Sequence, residues 1–172
     1  MSISMYQASA PVFIRMLRNL SAILDKAQAH ADAKKFDSAV YMNARLAPDI
    51  LPFSRQVQIA CDAAKGCIAR LAGVEIPKHP DTETSLAELK KRIAAVVDYV
   101  KSFKPEQIDG SEGKEIELKL GPKQDFILNF NGLSFLQGFA MGNFYFHTTT
   151  AYALLRQQGV DIGKMDFLGQ AE

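Results

Sequence analysis

Three long stretches of this chain place apolar residues every three or four positions, and one short stretch places them every two. The first spacing lines one face of an α-helix and the second lines one face of a β-strand. A chain dominated by the first is confined to a helical architecture with a small strand element. Val12, Met16, Leu17, Leu20, Ile23, Leu24 and Ala27 carry helical spacing between Ser4 and about Ala31. Pro11 belongs in the first turn if that helix starts near Ser9, and bends it if the helix starts at Ser4. Val57, Cys61, Ala64, Ile68 and Leu71 form the second stripe, closed by Gly73. Leu86, Leu89, Ile93, Val96, Val97 and Val100 form the third, opened by a capping box of Ser85 and Glu88. Asp37 caps a short helix between the first two, and "VEIPKHPDTETS" and "KPEQIDGSEG" read as loops.

In "KEIELKL" the period changes: Ile116, Leu118 and Leu120 alternate with Glu115, Glu117 and Lys119. "GPKQD" is a turn and "FILNFNG" a returning strand, so the pair is a hairpin attached to a helical body. Leu133 to Gln158 reads as a fourth long helix, apolar nearly all round, and therefore covered on most faces in a bundle or at a subunit interface. The expected fold is all-α, a four-helix bundle with a small β-hairpin before the last helix. Nothing in residues 1–172 marks a repeat, a linker or a second domain.

Charge excludes one large class of function. Twenty basic and nineteen acidic residues give a net charge of +1, without the clustered cations that phosphate backbones require. The run Lys90-Lys91-Arg92 reads as a solvated helix face. No apolar segment is long and clean enough to span a bilayer, and "MSISMYQASAP" is not a signal peptide. The expected setting is cytoplasmic. Cys61 and Cys67, six apart on one helix, lie about 9 Å from each other, too far for a disulfide; both read as buried reduced thiols.

"NFYFHTTTAYALLRQQG" sets one histidine, three threonines and an asparagine among aromatic and aliphatic residues. Asn143 and His147, four apart, project from one helix face. The threonine hydroxyls return to carbonyls three or four residues back. On the second helix, Arg55, Gln58 and Asp62 lie beside the apolar stripe, either as a solvated face or as a polar lining opposite Asn143 and His147. His147, Asn143, Asp62, Cys61, Gln58, Arg55 and Tyr152 are the candidate pocket residues. His30 and His79 read as surface residues. There is no nucleophile elbow and no phosphate-binding glycine loop, since Gly138 and Gly142 fall within an apolar helix, at a spacing that suits close helix contact.

The chain also resembles the DinB/YfiT-like four-helix proteins, and within them a branch described only as a domain of unknown function. The likeness is carried by "MYQASAPVFIRMLRNLSAIL", "NARLAPDILPFSRQVQIACDAAKG" and "NFYFHTTTAYALLRQQGVDIGKMDFLG". Many proteins of the wider group hold a divalent metal with one histidine of the second helix and an H-x-x-x-H pair of the fourth. By that resemblance His147 takes the place of the second histidine of the pair, Asn143 the place of the first, and Cys61 or Asp62 that of the third ligand. This is a degenerate metal site. The first expectation is a helical protein with a small-molecule pocket between helices two and four, no cofactor and a homodimeric state. The alternatives are a zinc- or nickel-dependent enzyme, such as a thiol-dependent transferase, with His147 as surviving ligand, and an interaction dimer without a ligand.

Overall fold

The computed structural model describes residues 2–121, 123 and 125–169. Helix α1 runs Ala10–Lys34 with Pro11 in its first turn, so the later of the two sequence-read starts holds. Asp37 caps a 3-10 helix, Ser38–Asn43, through Oδ1 accepting from the Ala39 N–H at 2.9 Å. Helix α2 spans Phe53–Ala72 and closes on Gly73, whose φ of 75° is left-handed. Helix α3 spans Leu86–Lys101. Its capping box is offset by one residue. Ser85 Oγ accepts from the Glu88 N–H at 3.2 Å, while the Glu88 carboxylate accepts from the N–H of Thr84 at 2.6 Å. A single turn, α4 (Pro105–Ile108), interrupts what the sequence reads as a loop.

Strands β1 (Glu115–Leu120) and β2 (Phe126–Asn131) pair antiparallel with Glu115 opposite Asn131 and Leu120 opposite Phe126. Ile116 and Leu118 are buried and Glu117 and Lys119 exposed, as the alternation requires. The turn read at "GPKQD" falls partly outside the described residues.

The segment read as one last helix is three pieces. Short α5 (Gly132–Ser134) leads into a π-helical segment, Phe135–Ala140, and then α6 (Met141–Gln157). In the π segment the Met141 N–H reaches back five residues to the Leu136 carbonyl. The wider turn brings Phe135, Phe139 and Ala140 toward one side. Nor is α6 covered all round: Tyr145 and Phe146 are 36% and 55% exposed. A last short helix, α7 (Lys164–Leu168), lies on α1, where Asn19 donates to the Phe167 carbonyl and Lys26 pairs with Asp166 at 2.6 Å.

One buried apolar cluster draws on all the long helices and the hairpin. α2 packs most extensively against α6, and α3 packs on both α1 and α2. Phe13 of α1 meets Phe144 of α6 edge-on, ring centroids 4.9 Å apart. The hairpin is clamped at its base to the end of α2. Lys114 Nζ donates to the Leu71 carbonyl at 3.1 Å, and the Leu133 N–H to the Glu112 carbonyl at 3.0 Å. A cation at these carbonyls complements the helix C-terminus. Gly132 sits so close to this clamp that a Cβ would lie 1.9 Å from the Ser111 carbonyl oxygen, a backbone atom that cannot rotate away.

Gly132→Ala should therefore destabilise the fold by about 1–3 kcal/mol or more through overpacking. Gly113→Ala, where a Cβ meets nothing within 4 Å, should stay within about 0.5 kcal/mol. Chemical denaturation of both variants checks the pair, and equal midpoints would refute the close approach.

Candidate functional site

Helix α2 presents two faces, because polar and apolar residues share its turns. Its apolar stripe packs into the core, while Ile59, Asp62, Ala63 and Arg70 border a cavity of about 370 Å³. Across it stand Phe135, Phe139, Ala140 and Asn143 from the π segment and α6, and Leu118 and Leu120 from β1. That volume lies in the range of small-molecule sites, as does the mix of apolar walls with a few polar groups. The aromatic wall is pre-packed: Phe135 and Phe139 stack at 14° with centroids 6.1 Å apart, and Phe130 lies 5.8 Å from each.

His147 belongs to a separate, buried interaction. Its Nδ1 lies 2.7 Å from Gln56 Oε1, and Gln56 Nε2 donates to the Leu51 carbonyl at 2.8 Å. A carbonyl only accepts, so the Gln56 amide nitrogen must face Leu51 and its oxygen must face the imidazole. The imidazole therefore donates from Nδ1. Burial lowers the His147 pKa, which favours the neutral form. Thr148 and Thr150 donate to the Phe144 and Phe146 carbonyls at 3.0 and 2.7 Å, the helical back-bonding their sequence position implies.

On the other side of α2 a charge cluster pins the 74–84 loop. Arg92 of α3, 4% exposed, reaches Asp62 at 2.8 Å, Asp81 at 2.9 Å and Glu83 at 3.1 Å. The sequence reading of Arg92 as solvated is thus corrected; it lies one turn after Leu89 and next to Ile93 of the apolar stripe, and it shares their burial. Gln58, itself buried, accepts from Arg55 and donates to Glu83, both at 2.7 Å, and Arg55 also pairs with Asp81. Burial raises the Asp81 and Glu83 carboxyls. Hydrogen bonds, from Arg55 to Asp81 and from backbone, Arg92 and Gln58 to Glu83, outweigh it and hold both below the usual carboxylate range. Lys65, 4% exposed, lies 2.8 Å from Asp62 and 2.9 Å from His79 Nδ1. Burial, then the charges of Lys65 and Arg92, push the His79 pKa down. His30 is likewise half-buried, with Nδ1 2.7 Å from the Tyr41 hydroxyl. Neither histidine is a plain surface residue.

Of the candidates read from sequence, Asn143 and Asp62 meet at the cavity. Arg55 and Gln58 face the 74–84 loop instead, and Tyr152 packs on Phe167 with its hydroxyl 3.4 Å from the Ile162 carbonyl. Cys61 is fully buried, its thiol pushed up to about 12 by burial. Gln56, Lys65 and Arg70 went unnoticed, and Arg92 was read only as a solvated face. Gln56 carried a signal, since three residues after Phe53 and four before Ala60 it falls on the apolar face of the helix. The residues do not fit a divalent metal. Asn143 offers an amide, Asp62 is shared by two cations, and His147 lines no part of the chamber that those two border. Among the described residues no three His, Cys, Asp or Glu side chains stand close enough to hold an ion.

No helix among the described residues is long and apolar enough to cross a membrane. Comparison with known proteins adds family context to this geometry. No curated protein matches the chain. A crystal structure of a DinB family member protein from Shewanella denitrificans is 44% identical and superposes with a TM-score of 0.86, covering 96% of this chain and 92% of that one. Residues 5–168 match the family described as a domain of unknown function, DUF1993. The chain, a DinB-like helical protein by this likeness, belongs to the DUF1993 family.

Proposed function

We propose that the four long helices form one bundle over residues 1–172 and that the chain binds a small molecule in the cavity between α2, the π segment and β1. The observation that carries this reading is the 370 Å³ chamber itself, apolar in its walls and polar at Asn143, Asp62 and Arg70. It holds no nucleophile and no metal-ligand set, so binding rather than a reaction is the activity proposed. The free, buried Cys61 and Cys67 support a reducing, cytoplasmic setting.

A homodimer is the second part of the proposal. A Cβ at Gly138 or Gly142 would meet nothing within 4 Å, and Gly142 lines an open groove with Leu46, Tyr145, Phe146 and Thr149. Small residues beside exposed aromatics give a second copy a surface for close helix contact.

The chamber is tested by titrating 1-octanol into the whole chain. Amide shifts should move at Leu118, Leu120 and Phe139, and Ala63→Trp should abolish the response by filling the space. A wild-type protein that shows no shifts there would refute a binding chamber. Elemental analysis of protein purified without chelator should find metal near zero; stoichiometric zinc or nickel, lost in His147→Ala, would restore the metal-enzyme alternative.

His147→Ala should cost about 1–3 kcal/mol by leaving Gln56 Oε1 unpaired. It should also change the pH dependence. The unfolded imidazole takes a proton near pH 6.5, but the folded one does so only at lower pH. Between those values the unfolded state binds more protons, so this stability is complete above about pH 7 and falls as pH drops. The decline in urea midpoint from pH 7 to pH 5.5 should be smaller in His147→Ala than in wild type; an identical decline would mean that the imidazole titrates normally.

Light scattering at micromolar concentration should give twice the chain mass. Gly142→Leu should halve it without changing the far-ultraviolet circular dichroism, whereas a wild-type monomer at every concentration would rule the dimer out.

A further inference from the structure

The chamber and a neighbouring open groove share two residues, Asp62 and Arg70. Their charges are not equally answered. Asp62 Oδ1 lies 2.8 Å from Lys65 Nζ and 2.8 Å from Arg92 NH2. Arg70 has no carboxylate within ion-pair distance among the described residues. Its NH1 donates to the Gly66 carbonyl at 3.1 Å, and the guanidinium lies 5.8 Å from the centroid of Phe135. Gly66 makes this posture available, because a Cβ there would stand 2.7 Å from Arg70 NH1. The groove beyond adds Lys65 and Lys78, so three cations there face one carboxylate already shared by two of the cluster's bases.

One unanswered guanidinium therefore stands where an apolar chamber opens toward a cationic groove. We propose that Arg70 anchors the carboxylate of an amphipathic organic acid whose apolar body fills the chamber. This rests on the small-molecule reading above and adds the ligand's chemical class. The remaining guanidinium N–H groups form a planar fork suited to two carboxylate oxygens. Ile59, Ala63, Leu118, Leu120 and Phe139 supply the apolar contact for the rest of the molecule. A monoanion matches Arg70, the one cation that lines the chamber among the described residues. A phosphate dianion would need a second charge there, whereas Lys65 is given to Asp62 and Lys78 lines only the groove. Half-burial strengthens the pairing by excluding competing water, and it already lowers the Arg70 pKa in the absence of a partner.

Calorimetric titration of octanoate and 1-octanol into the full-length chain separates the anchor from the chamber, because the two probes share a chain length and differ in the head group. Octanoate should bind wild type at least tenfold more tightly than octanol. Arg70→Gln should erase that difference by weakening octanoate at least tenfold more than octanol, and Arg70→Lys should keep part of it. Thermal melts identify any variant that fails to fold, and the wild-type comparison of acid and alcohol stands without them. Equal affinity in wild type, or a preference that survives Arg70→Gln, overturns the anchor and leaves the chamber standing. Shifts confined to Tyr145 and Phe146 place the acid on the exposed α6 face and overturn the anchor too. Failure of both probes to bind at millimolar concentration overturns the anchor together with the chamber.

Discussion

Everything positioned in this molecule depends on the contact of α2 with α6. The two helices pack on each other more extensively than any other pair, and Phe53, Val57, Ala60, Cys61 and Ala64 of α2 and Phe144, Ala151 and Leu154 of α6 are fully buried. Such surfaces hold together by area and shape and do not by themselves distinguish one axial register from another slid by a turn. The Gln56–His147 hydrogen bond supplies that distinction. Sliding either helix would strand an amide oxygen and an imidazole N–H away from water, and unpaired buried polar groups are expensive. A histidine that looks like the remnant of a metal site by resemblance is, in its local chemistry, a register pin. Burial in the same arrangement favours its neutral form.

The opposite face of α2 works by charge. Bringing Arg92 nearly out of solvent carries a desolvation cost that one carboxylate would scarcely offset. Three carboxylates share it here, and two of them, Asp81 and Glu83, come from the loop between α2 and α3. The consequence is structural economy: a segment with few apolar residues is fixed against two helices by Arg92, with Arg55, Gln58 and Lys65 of α2 beside it. Removing Arg92 would leave three carboxylates near one another, with Asp81 still on Arg55 and Asp62 on Lys65. The loop would loosen at Glu83 first, since Gln58 would be the one side chain left to it among the described residues.

The helices, the hairpin and its facing pattern were legible in the sequence because each follows from spacing within a few residues. Ile116 and Leu118 point inward for the same reason that they alternate with charged neighbours. The π segment was not legible. Phe135 to Ala140 carry the same apolar run as a continuous α-helix, and the extra residue per turn arises from packing against Phe130 and β1. The site divided in the same way. Asn143 and Asp62 were readable as polar residues on facing helices, and they do border one chamber. Arg92 and Arg70 were not, because their roles depend on partners 30 and 65 residues away, at Asp62 and Phe135 respectively. Spacing along one helix cannot express such distances. Gln56 lies between these cases, visible as a polar residue in an apolar stripe but without any local cue to its partner.

The hairpin makes the chamber possible, and the reason lies at its base rather than in its strands. Two isolated strands are marginal in water, so Leu118 and Leu120 hold their places only because the hairpin is tied down elsewhere. Lys114 on the Leu71 carbonyl fixes one leg to the end of α2. Gly132 fixes the other by approaching the Ser111 backbone more closely than any side chain would permit, with a Cβ position 3.4 Å from Leu71 Cδ2 as well. The first tie ends on the last turn of α2, which Arg70 shares, and the second lies against Leu71 of the same turn. The leucines of β1 thus stand on a base anchored beside the cavity, and the polar pair that sets the register of α2 on α6 lies outside the chamber lining.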